Sequence, residues 1–153
     1  MAVIRDPAQV NARRGTIYPA KFAQGLEGRA KRALGDAGGL TQFGVNLTTL
    51  EPGAMSAHRH WHRAEDEFVY VLEGELTLVT DAGEETLRAG MAAAFPAGKD
   101  DGHQLINRSD KPATYLEIGT RAANDDAVYS DIDMRCEKRD GKFRFFTKSG
   151  EPY

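Results

Sequence analysis

The sequence predicts an all-β domain, a barrel or sandwich of short strands, and three observations carry that expectation. From residue 41 onward, runs rich in Val, Ile, Thr, Tyr and Phe recur, several alternating polar with apolar residues. Sixteen glycines and six prolines punctuate the 153 residues, as many tight turns require. The candidate strands are too short and too closely spaced for a βαβ layout.

Residues 1–40 are the least regular part and are read as an N-terminal arm, leaving 41–153 for the barrel. The arm carries Arg5, Arg13, Arg14, Lys21, Arg29, Lys31 and Arg32 against Asp6, Glu27 and Asp36. That excess of positive charge suits an anion- or nucleic-acid-binding arm, or more plainly a solvated arm packed on the barrel or on a partner subunit. Helical periodicity is too sparse for a helix-turn-helix unit. One short helix is expected from Leu26 to Leu34, ended by Gly35.

The strands follow in order. Residues 41–50 (TQFGVNLTTL) stop at Pro52-Gly53. Residues 55–62 form the next expected strand and 67–72 (EFVYVL) a third. Residues 75–80 (ELTLVT) alternate, then turn at Asp81-Ala82-Gly83. Residues 85–88, 91–95, 103–107 and 113–120 supply four more. A closing hairpin is expected around Asp140-Gly141, between CEKR and KFRFF.

Composition narrows the functional classes. A chain of this length buries enough surface to fold without a metal or disulfide staple, so a metal site would serve function. The net charge of −3 argues against nucleic acid as the main partner. A single cysteine, Cys136, cannot form an internal disulfide and is expected to be inert. No apolar run approaches the ~20 residues of a membrane span, and the N-terminus does not resemble a signal peptide. These features predict a cytoplasmic protein with no membrane partner.

The chemistry is concentrated in two segments. All four histidines, His58, His60, His62 and His103, fall within Gly53–Gly74 and Gly90–Asn107. Neutral imidazoles with a carboxylate are the ligand set of a mononuclear divalent transition-metal site. Side chains at i and i+2 of a strand share a face, so His60 and His62 project together and Trp61 points away. Phe68 and Tyr70 also point away by parity, toward core or subunit-interface packing. His58 shares the parity of His60 and His62.

In these segments the chain resembles the cupin superfamily, small β-barrels of the jelly-roll type. That family's first motif runs Gly, five residues, His-x-His, three or four residues, Glu, six residues, Gly. Here His60-x-His62, Glu67 and Gly74 match, while Gly53 stands one residue too far from His60. The second motif runs Gly, five residues, Pro-x-Gly, two residues, His, three residues, Asn. Gly90, Pro96-Ala97-Gly98, His103 and Asn107 match, with two extra residues in the Lys99–Gly102 turn. The chain is also similar to small single-domain bacterial cupins carrying an Arg-His-Trp-His run, here Arg59–His62.

The resemblance implies a jelly-roll β-barrel with His60, His62, Glu67 and His103 as metal ligands. Glu65 and Asp66 adjoin Glu67, but Glu67 keeps both motif spacings. The inserted turn leaves open whether His103 reaches the ion, with His58 able to replace it. The ion would be divalent Zn, Fe, Mn or Ni, with coordination positions open to water, dioxygen or substrate. An enzyme acting on a small polar or carbonyl-containing metabolite is expected, of the isomerase, lyase or dioxygenase type. Glu117 or His58 would be its base. The alternative is a metal-anchored small-molecule binding or sensor protein without catalysis. A homodimer is expected, because exposed sheet edges need cover.

Overall fold

The computed structural model describes residues 2–153, and its fold is all-β, of the jelly-roll type. The first sheet places β1 (Ala12–Arg14), β2 (Arg29–Ala33), β3 (Phe43–Leu50), β10 (Ala113–Thr120), β5 (Glu67–Glu73) and β8 (Ala92–Phe95) side by side. The second runs β13 (Lys142–Phe146), β12 (Arg135–Arg139), β11 (Asn124–Tyr129), β4 (His60–His62). The third is β7 (Gly83–Arg88), β6 (Glu75–Thr80), β9 (Gln104–Ile106). Neighbours in all three pair antiparallel.

Alternation in sequence becomes alternation in burial. On β5, Val69 and Val71 are buried, while Phe68, Tyr70 and Leu72 face outward at 38–45% exposure. β5 and β6 meet at Gly74, whose φ of 77° and closeness to Ala113 leave no room for a Cβ. Leu50, Val69, Val71, Leu76, Leu78, Leu87, Leu105 and Tyr115 form one apolar cluster. Each such side chain contributes roughly 1.5–3 kcal/mol on burial. Ala127, Tyr129, Met134 and Cys136 form a second, with Tyr18, Phe22 and Phe145 packed against it. Residues of both clusters line a cavity between the sheets. Asn107 is fully buried, its amide donating to the carbonyls of Leu50 and Lys111, and so it fastens the end of β9.

Three local expectations are corrected. The helix expected over 26–34 is absent, because Arg29–Ala33 pairs with β3 as a strand and only Leu34–Ala37 turns helical. The sheet's hydrogen bonds outweigh helix propensity there. β1 and β2 thus extend the first sheet, so part of the expected arm is regular structure. The strand expected over 55–62 shortens to His60–His62, with Met55 making one isolated bridge to Ile106. A strand not expected at all, β11, lies beside β4.

Candidate metal centre

Three stretches of chain build the site. β4 pairs with β11 and holds His60 and His62 on one face, opposite Tyr129 and Ala127. Glu67 opens β5. His103 is fixed to His60 by a reciprocal bridge: its N–H donates to the His60 carbonyl at 2.9 Å and its carbonyl accepts from His60 at 3.2 Å. The two-residue insertion is therefore absorbed in the turn before His103. Asp101 accepts from the Asp81 N–H at 2.8 Å, and Gly102 lies where a Cβ would meet Ser130 Oγ at 2.1 Å.

The Nε2 atoms of His103, His62 and His60 lie 3.0, 3.5 and 4.0 Å from Oε2 of Glu67. His60 Nδ1 donates to the His58 carbonyl at 2.8 Å, and His62 Nδ1 donates to Asp125 Oδ2 at 2.5 Å. Those bonds put the proton of each neutral ring on Nδ1, so both Nε2 lone pairs face a carboxylate oxygen. A cation between these acceptors would satisfy them. Glu67 Oε2 is buried and completes no hydrogen bond. Burial pushes the imidazole of His60 down to about 3, so this ring is neutral and offers its Nε2 lone pair. The donor set and its convergence fit a divalent transition metal.

Electrostatics around the cluster follow the same contacts. Burial pushes the Glu67 carboxyl up, but His103, His62 and His60 outweigh it and hold it below the usual carboxylate range. Burial lowers His62, yet its bond to Asp125 prevails and raises it. Phe95 stacks on the His103 ring with centroids 3.6 Å apart, and Tyr129 stacks on His60 at 5.4 Å. These rings hold the imidazoles in place.

Of the residues singled out in the sequence, His60, His62, Glu67 and His103 come together in one cluster. They line a cavity of about 400 Å³ that also holds Glu117. Glu117 Oε1 accepts from Lys31 Nζ at 2.5 Å and from Asn46 at 3.2 Å, leaving Oε2 free. His58 is not brought to the cluster. It precedes β4, its Nε2 bonds the Phe22 carbonyl at 2.8 Å, and its ring packs against Tyr18 and Phe22. Glu65 pairs with Lys138 at 2.6 Å and accepts from the Ala122 N–H. Trp61 borders a smaller cavity of about 230 Å³ that reaches His62, Glu67 and His103 from another side.

Sequence reasoning missed Asp125, Lys31 and Asn46. Asp125 lies in the unforeseen β11, and an acid buried at 5% exposure has no marker in a single sequence. Lys31 and Asn46 sit opposite Thr48 and Glu117 in the sheet, a register that only pairing reveals.

Among the described residues, no helix is long and apolar enough to cross a membrane. A family model described as Cupin domain matches residues 46–119. No curated protein matches the chain at a significant level. A sugar phosphate isomerase of a cupin superfamily from Silicibacter pomeroyi superposes with a TM-score of 0.94 at 49% identity, over 97% of this chain and 94% of its own. A structure from Acidithiobacillus ferrooxidans, provisionally titled a sugar phosphate isomerase, has a TM-score of 0.75 at 30% identity, over 79% and 77%. The polyketide cyclase RemF of Streptomyces resistomycificus shares the fold at 23% identity, with a TM-score of 0.64 over 78% and 80%.

Proposed function

We propose that this chain, which belongs to the cupin superfamily, is a metal-dependent isomerase of a small phosphorylated sugar. His60, His62, Glu67 and His103 hold one divalent ion, with Zn, Fe, Mn and Ni all compatible with the donor set. The observation that carries this reading is the convergence of three Nε2 atoms on Glu67 Oε2 inside a cavity that also holds Glu117. The similar sugar phosphate isomerase of Silicibacter pomeroyi supports the reaction class, as does the Acidithiobacillus ferrooxidans protein provisionally given the same activity.

When bound, the ion supplies Lewis acidity that polarises a substrate carbonyl or hydroxyl oxygen. The protein supplies the proton transfer. Glu117 takes the proton from the hydroxyl-bearing carbon beside the carbonyl through its free Oε2 and returns it to the former carbonyl carbon, while the hydroxyl proton passes to the former carbonyl oxygen. Lys31 and Asn46 grip Oε1, so that the carboxylate has one orientation. Val69, Leu105 and Phe145 on the cavity wall limit water around the reacting carbons.

The test is hydrogen exchange during turnover. Metal-loaded protein is incubated in heavy water with a panel of aldose and ketose phosphates and followed by NMR. Deuterium should enter the carbon beside the carbonyl of one of them. Glu117→Gln should slow this by about 100-fold or more without loss of bound metal. No incorporation on any sugar phosphate at full metal loading would contradict the reading.

A further inference from the structure

The first two strands press a set of cations against the same cavity. Lys31 faces it, because its Nζ meets Glu117 there. Arg13 is paired directly opposite Lys31, and opposed residues of an antiparallel pair share a face. Arg29 stands two positions before Lys31 and shares that face as well. Arg29 is half-buried and donates to the carbonyls of Ser56 and of Gly15, the latter at 3.0 Å.

Three other cations of the cavity are paired, whereas Arg13, Arg29 and Arg14, the last on the opposite face of β1 from Arg13, are not. Lys31 is neutralised by Glu117, Lys138 by Glu65 and Arg121 by Asp36. Among the described residues, neither Arg13 nor Arg29 has a carboxylate within ion-pairing distance. A guanidinium has five N–H donors, and two carbonyls do not cancel its charge. Arg29, partly buried without a counter-ion, is costly to hold charged, and an incoming anion removes that cost. A second observation points the same way. The hydroxyl of Tyr115, fully buried and lining the same cavity, faces Thr48 without completing a hydrogen bond.

We propose that Arg13 and Arg29, together with the Tyr115 hydroxyl, form the subsite for the substrate's phosphate group. This rests on the isomerase reading of the cavity and assigns which wall takes which end of the molecule. β2 stands three strand spacings from β5, about 14 Å across the sheet. A substrate whose phosphate meets the arginines would extend along the cavity toward the histidine cluster. Guanidinium pairs with phosphate oxygens through parallel N–H donors, which an ammonium cannot reproduce.

The test uses inorganic phosphate as the probe, titrated calorimetrically into the wild type, Arg13→Ala, Arg29→Gln and His60→Ala, with acetate as the comparison anion. Arg13 is exposed, so its variant keeps the fold even where Arg29→Gln does not. Phosphate affinity should fall about tenfold or more in the arginine variants and change little in His60→Ala. Metal content should be unchanged in Arg13→Ala, while its KM for the sugar phosphate rises. Phosphate binding that is lost in His60→Ala and untouched by Arg13→Ala would overturn the subsite. Acetate binding as tightly as phosphate would overturn the phosphate assignment. Either result leaves deuterium incorporation intact, whereas failure of the isomerase reading abolishes it.

Discussion

His62 Nδ1 lies 2.5 Å from Asp125 Oδ2, and the other oxygen of that carboxylate accepts the Ala64 N–H at 2.8 Å. Asp125 thereby sets which nitrogen of His62 carries the proton and aims Nε2 at Glu67. Asp125→Asn keeps the shape but removes the charge that orients and polarises the ring. Metal affinity should fall by about 10–100-fold, read by competition with a chelator, with the fold retained. An unchanged affinity would remove Asp125 from the account.

Gly102 makes the inserted turn possible. An added Cβ would sit 2.1 Å from Ser130 Oγ and 3.2 Å from Ser130 Cβ. Gly102→Ala should cost about 1–3 kcal/mol. For a chain of this size that lowers Tm by about 2–4 °C per kcal/mol. Adding Ser130→Ala removes the nearer atom and should restore part of the loss. Equal melting of wild type and Gly102→Ala would contradict this packing.

Strands that alternate over a buried face were legible, as Val69 and Val71 against Phe68 and Tyr70 show. So were the two motif segments, whose residues meet in one cluster. Parity failed at His58 because it assumed a continuous strand through Met55, where the chain bends and only His60–His62 pairs. β11 was illegible because it opens on Asn124-Asp125-Asp126, residues that disfavour strands. Asp125 is held there by a tertiary partner, His62, which local pattern does not record. Arg29–Ala33 was misread for the same reason, since its pairing with β3 is a contact that local pattern does not record.

Burial pushes the Cys136 thiol up to about 12, from an ordinary value of 9.0. The folded chain then keeps a proton that the unfolded chain loses between about pH 9 and 12. The unfolded state binds fewer protons in that window, so stability falls as pH rises through it and is unaffected below it. Cys136→Ala should therefore lose less Tm than the wild type between pH 8 and pH 10.5. Native protein at pH 8 should also resist a thiol reagent, because burial keeps the thiol protonated and out of reach. Rapid labelling without unfolding would contradict the assigned burial.

Metal content by mass spectrometry, on protein purified without an affinity tag, tests the central claim most directly. The wild type should hold about one divalent transition-metal ion per chain. His60→Ala, His62→Ala and His103→Ala should each lose it while keeping a folded β spectrum. Variants that retain the same metal as the wild type would show that these imidazoles do not share an ion.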